Sequence, residues 1–204
     1  VGNLPANIAN PMLTWERTSE YNVGLDFGFL NQRISGNIEY YNRTTNDLLM
    51  KRNIPVHLGY SSVTSNVGSV RNSGFELQLN TANIMTKNFA WNTTINLAYN
   101  KNEIVSLADE EDLSNYSIHL QGMRGRYSDK RFIGKPVDTN WTQNTIGVWQ
   151  LGEEEEAAKY GCVPGNFKIK DYNNDGKLTD DDYIIDGKRT PDWTGGMTNM
   201  FKIY

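Results

Sequence analysis

The sequence predicts an all-β chain, an incomplete antiparallel transmembrane β-barrel segment interrupted by a long external loop. Strict apolar–polar alternation in several runs predicts half-buried strands. Each run is about ten residues long, the length of a tilted strand in a bilayer. Short and long connections alternate along the chain, the habit of outer-membrane barrels. Aromatic residues gather at both ends of the runs with aliphatics between them. A lipid-facing sheet has this pattern because amphipathic rings settle at the membrane interfaces.

The first run sets Tyr21, Val23, Leu25, Phe27 and Phe29 against Asn22, Gly24, Asp26 and Gly28. After a turn around Asn31 and Gln32, Ile34, Ile38 and Tyr40 oppose Ser35, Asn37 and Glu39. A third run has Phe75, Leu77 and Leu79 against Glu76, Gln78 and Asn80. The fourth has Phe89, Trp91, Thr93, Ile95, Leu97 and Tyr99 against Asn92, Thr94, Asn96, Ala98 and Asn100. The last sets Met197, Phe201 and Ile203 against Thr198 and Lys202. The links at 30–33 and 81–88 are short, whereas those at about 44–71 and 101–192 are long. With the short links on the periplasmic side, Phe27, Phe29, Phe89 and Trp91 form one girdle, and Tyr21, Tyr40, Phe75 and Tyr99 the other. Tyr21, Leu25, Ile38, Leu77, Leu79, Ile95 and Leu97 then face lipid. Asn22, Asp26, Glu39, Glu76, Gln78 and Asn96 face the lumen. The alternative with the same alternation is a soluble β-sandwich, but a polar face of Asn, Ser, Thr, Gln, Asp and Glu with little Lys suits a wet lumen better.

Composition narrows the function. A net charge of −4 and a pI near 5.2 provide no basic surface for nucleic acid. The single cysteine, Cys162, excludes an internal disulfide and supports no zinc site. The only histidines, His57 and His119, lie in loop-like stretches, so no nucleophile–base constellation forms and no enzyme activity is expected. Because the chain begins at Val1 rather than an initiator Met, it is expected to be part of something longer.

One motif stands out in the long loop. In "DYNNDGKLTDDD" (residues 171–182), Asp171, Asn173 and Asp175 occupy positions 1, 3 and 5 of a calcium-type loop. Gly176 takes the sixth position, where the chain turns sharply. Lys177 offers its backbone carbonyl at the seventh, and Asp182 closes the loop at the twelfth. Calcium is a hard cation that takes six to eight oxygens, which short carboxylates at alternate positions can supply. Aspartate at the last position makes the loop dockerin-like as much as EF-hand-like, and the flanks "NFKIK" and "YIID" read as strands rather than helices. An acidic turn with no metal is the other reading. Upstream, "LGEEEEAAKYG" (residues 151–161) predicts a short helix with acid at its N-terminus, Glu153–Glu156 being a solvated face. Trp141 and Trp149 are expected to pack the loop onto itself, the alternative being exposed platforms for a sugar.

Several ordered blocks resemble SusC/RagA-type TonB-dependent outer-membrane transporters of Bacteroidetes. These are "NPMLTWERTSEYNVGLDFGFLNQRISGNIEYYNRTTNDLLM" (residues 10–50), "SSVTSNVGSVRNSGFELQLNT" (61–81) and "NFAWNTTINLAYNKNEIVSL" (88–107). "IGKPV" (133–137) and "PGNFKIKDYNNDGKLTDDDYIIDGKRTPDWTGG" (164–196) follow in the same order. The resemblance weakens over 108–131 and 137–150. It implies a large barrel with an N-terminal plug, opened by the TonB complex from the periplasm and capped by a SusD-like lipoprotein. Such a protein imports oligosaccharides or peptides across the cell outer membrane, with structural Ca2+ bracing an external loop. The chain is then an internal barrel segment: residues 1–17 lead in, 18–106 form strands with one external loop, 107–192 form the long external region, and 193–204 return as a strand. The competing reading is a secreted calcium-stabilised β-sandwich module for adhesion or carbohydrate binding.

Overall fold

The computed structural model describes residues 10–53 and 62–204. His57 lies outside them. The chain separates into two compact units, Val1–Ser106 with Thr190–Tyr204, and Leu107–Arg189.

The first unit is a five-stranded sheet built from β1 (Arg17–Phe29), β2 (Ile34–Asn46), β5 (Gly68–Met85), β6 (Phe89–Leu107) and β14 (Trp193–Ile203), in that spatial order. Between β2 and β5 lies a hairpin of β3 (Leu49–Asn53) and β4 (Ser62–Asn66). Register holds each side chain to one face. Leu25, Ile38 and Leu77 stand side by side across three strands, and the next row is Gly24, Glu39 and Glu76. On the far side Ile95 pairs with Met197, and Asn96 with Gly196. The sheet therefore has one apolar and one polar face, divided as the alternation predicts. Its apolar face stays exposed: Val23 by 67%, Leu25 by 65% and Met197 by 65%. β1 and β14 are open edges, so no barrel closes within the described residues.

Aromatic rings cluster at both ends of the apolar face. Phe75, Tyr99 and Trp193 meet at one end, with centroids 4.9–5.9 Å apart. Phe201 stacks on Phe89 and Trp91 at the other.

Strand length differs from the expected ten or so residues. β5 runs for 18 residues and β6 for 19. At about 3.3 Å per residue both extend well past the thickness of a bilayer. Their distal ends carry paired charge in place of apolar alternation: Glu103 accepts from Arg71 at 3.2 Å and from Lys101 at 2.7 Å. The link at 44–71 also differs from a plain loop, because β3 and β4 continue it as a ribbon. Asn66 ties that ribbon to the lead-in segment, accepting from the Thr14 N–H at 2.9 Å and donating to the Thr14 carbonyl at 3.0 Å.

Gly74 sits where two strands leave no room for a side chain. Tyr41, its cross-strand partner, leans over it to donate to Asn100 Oδ1 at 2.9 Å. A Cβ at Gly74 would collide with the Tyr99 carbonyl oxygen and lie 2.9 Å from the Tyr41 hydroxyl. Gly74→Ala should therefore destabilise the sheet by about 1–3 kcal/mol, the usual cost of overpacking. The urea unfolding midpoint in detergent measures it, with Gly196→Ala as control, since nothing lies within 4 Å of a Cβ there.

The second unit surrounds a small core of Leu113, Leu120 and Phe132, all fully buried, with Met123, Tyr127, Trp141 and Ile185 packed against them. Short strands enclose it: β7 (Glu111–Asp112), β8 (Arg124–Arg126) and β9 (Arg131–Phe132) form one sheet. β10 (Thr139–Gln143) pairs with β13 (Tyr183–Lys188), and β11 (Thr145–Val148) with β12 (Phe167–Ile169). The acidic stretch forms α1 (Glu154–Lys159), whose Ala157 is buried while Glu154, Glu155 and Glu156 stay exposed. What reads as a loop in the sequence is a folded unit with its own core.

Candidate calcium loop and its supports

The loop at 171–182 lies between β12 and β13, so both flanks are strands. Asn174 and Gly176 take positive φ of 56° and 78°, making the sharp turn that the motif requires. Side-chain oxygens cap the loop's own backbone. Asp171 Oδ2 accepts from the Gly176 N–H at 2.9 Å, Asn173 Oδ1 from Asp175 at 3.1 Å, and Asp175 Oδ1 from Lys177 at 2.8 Å. Asp182 is fully buried; its carboxylate accepts from the Tyr172 N–H at 2.8 Å and the Thr179 N–H at 2.9 Å. Thr179 and Asp182 together form a capping box on the 3-10 turn at Asp180–Asp182.

One oxygen is left over. Asp171 Oδ1 is buried with no hydrogen-bond partner, an arrangement that calls for a further ligand. Burial pushes the Asp171 carboxyl up, but the N–H groups of Gly176, Asn174 and Asp175 and the Tyr160 hydroxyl outweigh it and hold it below the usual carboxylate range. Asp171 is therefore an anion at neutral pH. Tyr160, 3.2 Å from Asp171 Oδ2, is pushed the other way, by burial first and then by that carboxylate. The donor set is all oxygen, as a hard cation prefers. Among the described residues, however, no three carboxylate, imidazole or thiol groups converge on one point. The Asp175 oxygens are turned onto the Lys177 N–H and the Asn173 side-chain amide, and the Asp182 oxygens onto backbone N–H groups. The residues thus fit a hard cation in chemistry and in the orphaned oxygen, with side-chain rotation needed to complete the shell.

Residues far away in sequence hold the loop in place. Tyr127 donates to Asp180 Oδ2 at 2.6 Å, and the Lys130 ammonium sits 3.2 Å from the centre of the same ring. Burial, followed by the Asp180 bond, pushes the Tyr127 hydroxyl well above its ordinary value, so it stays a donor. Ser117 Oγ donates to the Asp181 carbonyl at 3.2 Å, and His119 meets the Tyr172 ring edge-on at 4.2 Å. The other wall is Tyr160 stacked on Trp149, with Lys168 over the Trp149 ring at 4.2 Å. Trp149, Tyr160, Lys168, Lys170 and Asp171 line a hollow of about 370 Å³.

This arrangement removes the sugar-platform alternative for the tryptophans. Trp149 is 4% exposed, and Trp141 is packed among Tyr127, Phe132 and Tyr183. The supports Tyr127, Lys130, Tyr160 and Asp180 escape sequence reading because each acts through a partner on another element.

A family model described as TonB dependent receptor-like, beta-barrel matches residues 1–195. A TonB-dependent receptor of Formosa agariphila is 34% identical over 193 residues, covering 94% of this chain and 19% of its own length. The TonB-dependent receptor SusC of Bacteroides thetaiotaomicron is 34% identical over 194 residues, covering 95% of this chain and 18% of its own. Among solved structures, the RagAB peptide transporter superposes with a TM-score of 0.63 at 25% identity, over 96% of this chain and 20% of that one. The chain spans about a fifth of the length of these relatives.

Proposed function

Because the chain belongs to the TonB-dependent receptor β-barrel family, we propose that it builds one sector of the wall of an outer-membrane importer, with Leu107–Arg189 as a folded element at the external mouth. Membership removes the secreted-sandwich alternative, and its relatives are receptors of a transport class rather than enzymes. The observation that carries the reading is the two-faced sheet, whose apolar side exposes Val23, Leu25, Ile38 and Met197 between two sets of aromatic rings. In water such a surface invites aggregation. Against lipid it is the ordinary outer wall of a barrel.

The cargo is an oligosaccharide or a peptide, the latter supported by the neighbour named a peptide transporter. A SusD-like lipoprotein caps the mouth, and the TonB complex engages a part of the protein outside this chain. Asp171, Asn173, Asp175, the Lys177 carbonyl and Asp182 would hold one Ca2+ ion, and the unpartnered Asp171 Oδ1 supports that assignment. Such an ion would neutralise the loop's crowded carboxylates and lower the ordering cost of docking a partner.

The test replaces residues 108–189 of the full-length protein with a flexible Gly-Ser linker. The barrel is expected to assemble in the outer membrane while lipoprotein binding and uptake of the cognate nutrient fall. Chelating calcium in the intact protein should reproduce part of that loss. Unchanged binding and uptake after the replacement would remove the docking role.

A further inference from the structure

Beyond the girdle at the long-link end, the apolar face turns into a charged one. Phe75 and Tyr99 meet in that girdle, with ring centroids 5.9 Å apart, and the period of two sends Arg71, Lys101 and Glu103 out on the same side. Contacts fix this phase. Arg71 Nη1 and Lys101 Nζ both donate to Glu103, at 3.2 and 2.7 Å. The intervening Asn100 and Asn102 turn to the polar face, where they bond Tyr41 and Asn72. β5 lies between β2 and β6, and β6 between β5 and β14, so neither strand is an edge.

Two cations thus share one carboxylate, and the carboxylate is the more covered member. The Glu103 side chain is 20% exposed, against 41% for Arg71 and 54% for Lys101. The group presents net positive charge outward. Uncharged polar residues adjoin it, Thr44 opposite Arg71 and Asn42 opposite Ser73. Height decides what the charge meets. Lys101 is the next outward position after Tyr99, and Arg71 the second after Phe75, about 7 and 13 Å along the strands. At a strand tilt of about 40° these become about 5 and 10 Å along the membrane normal. The headgroup layer is about 5–8 Å deep on each side, and both side chains are long enough to reach into it.

We propose that Arg71 and Lys101 bind the phosphate of one glycolipid of the outer leaflet, with Asn42, Thr44 and Ser73 beside its sugar hydroxyls. A phosphate ester takes charge-assisted bonds from guanidinium and ammonium together, and its acyl chains lie along the rows of Leu77 and Leu97. The site rests on the reading that this face meets lipid.

The test uses the full-length protein in detergent with monophosphorylated lipid A added, read by native mass spectrometry as lipid retained after detergent release. One retained lipid is expected, undisplaced by excess inorganic phosphate, with little retention of the dephosphorylated lipid. Arg71→Gln and Lys101→Gln should each weaken retention about tenfold, the loss expected for one charge-assisted hydrogen bond. Arg71→Lys should keep most of it. Glu103→Gln should strengthen retention, because it removes the carboxylate that competes with the phosphate; loss in that variant would reduce the trio to a structural ion pair and overturn the site. A photo-crosslinker at Leu97 reports separately on the face. Lipid captured at Leu97 with equal retention by every variant, or of both lipids, overturns the site alone, whereas no lipid captured at Leu97 overturns the lipid-facing reading beneath it. Displacement by inorganic phosphate, or a change of oligomeric state in Arg71→Gln, would assign the cations to a free anion or to a second copy and overturn the proposal.

Discussion

Arginine at position 95 should cost the assembled barrel about 2–4 kcal/mol, while arginine at position 96 should cost far less. Ile95 lies in the apolar row opposite Met197, and Asn96 in the polar row opposite Gly196. One residue separates them, yet the side-chain period of two sends one toward hydrocarbon and the other toward a wet lumen. Because a slip of one residue exchanges the two faces entirely, the comparison tests register as well as membrane placement. Urea-induced unfolding of the full-length protein in lipid vesicles, read by tryptophan fluorescence, gives both values. Equal tolerance at the two positions would remove the assignment of faces.

Phe132→Ala should be as damaging to the second unit. Phe132 is fully buried beside Leu113 and Leu120, and its ring lies 5.5 Å from Trp141. Truncating a buried phenylalanine costs about 3–5 kcal/mol, a large part of the 5–15 kcal/mol that stabilises a typical domain. Few other buried side chains can compensate in so small a core. The damage should spread to the 171–182 loop, since Tyr127, which holds Asp180, packs on the same core. Limited proteolysis should show cleavage throughout residues 107–189 while the sheet strands stay protected. Phe132→Leu should retain most of the resistance. A Phe132→Ala protein as resistant as the parent would mean that the unit draws its order from elsewhere.

The sheet was legible where burial imposes alternation. Tyr21–Phe29 and Phe89–Tyr99 each present one apolar and one polar face, which writes a period of two into the sequence. Beyond Tyr99 that demand ends. The stretch "NKNEIVS" continues as strand on paired charges, and its length was not legible. The ribbon of β3 and β4 was hidden for the same reason. In the candidate site the sharp turn was legible because it depends on residue type and local spacing: Asp171, Asn173, Asp175, Gly176 and Asp182. The supports were not. Tyr127 and Asp180 are 53 residues apart, and neither carries a local pattern that announces the other. Trp149 was ambiguous by itself, since a tryptophan reads alike as core or platform until Tyr160 is seen to cover it.

The most direct test of the central claim, a lipid-facing wall with alternating faces, is spin-label accessibility along β6. Single labels at positions 94, 95, 96 and 97 go into the full-length protein carrying Cys162→Ser, reconstituted in lipid. Oxygen, which concentrates in hydrocarbon, should relax the labels at 95 and 97. A water-soluble nickel complex should relax those at 94 and 96, giving two profiles of period two in opposite phase. Profiles in phase with each other, or nickel access equal at all four positions, would contradict a barrel wall.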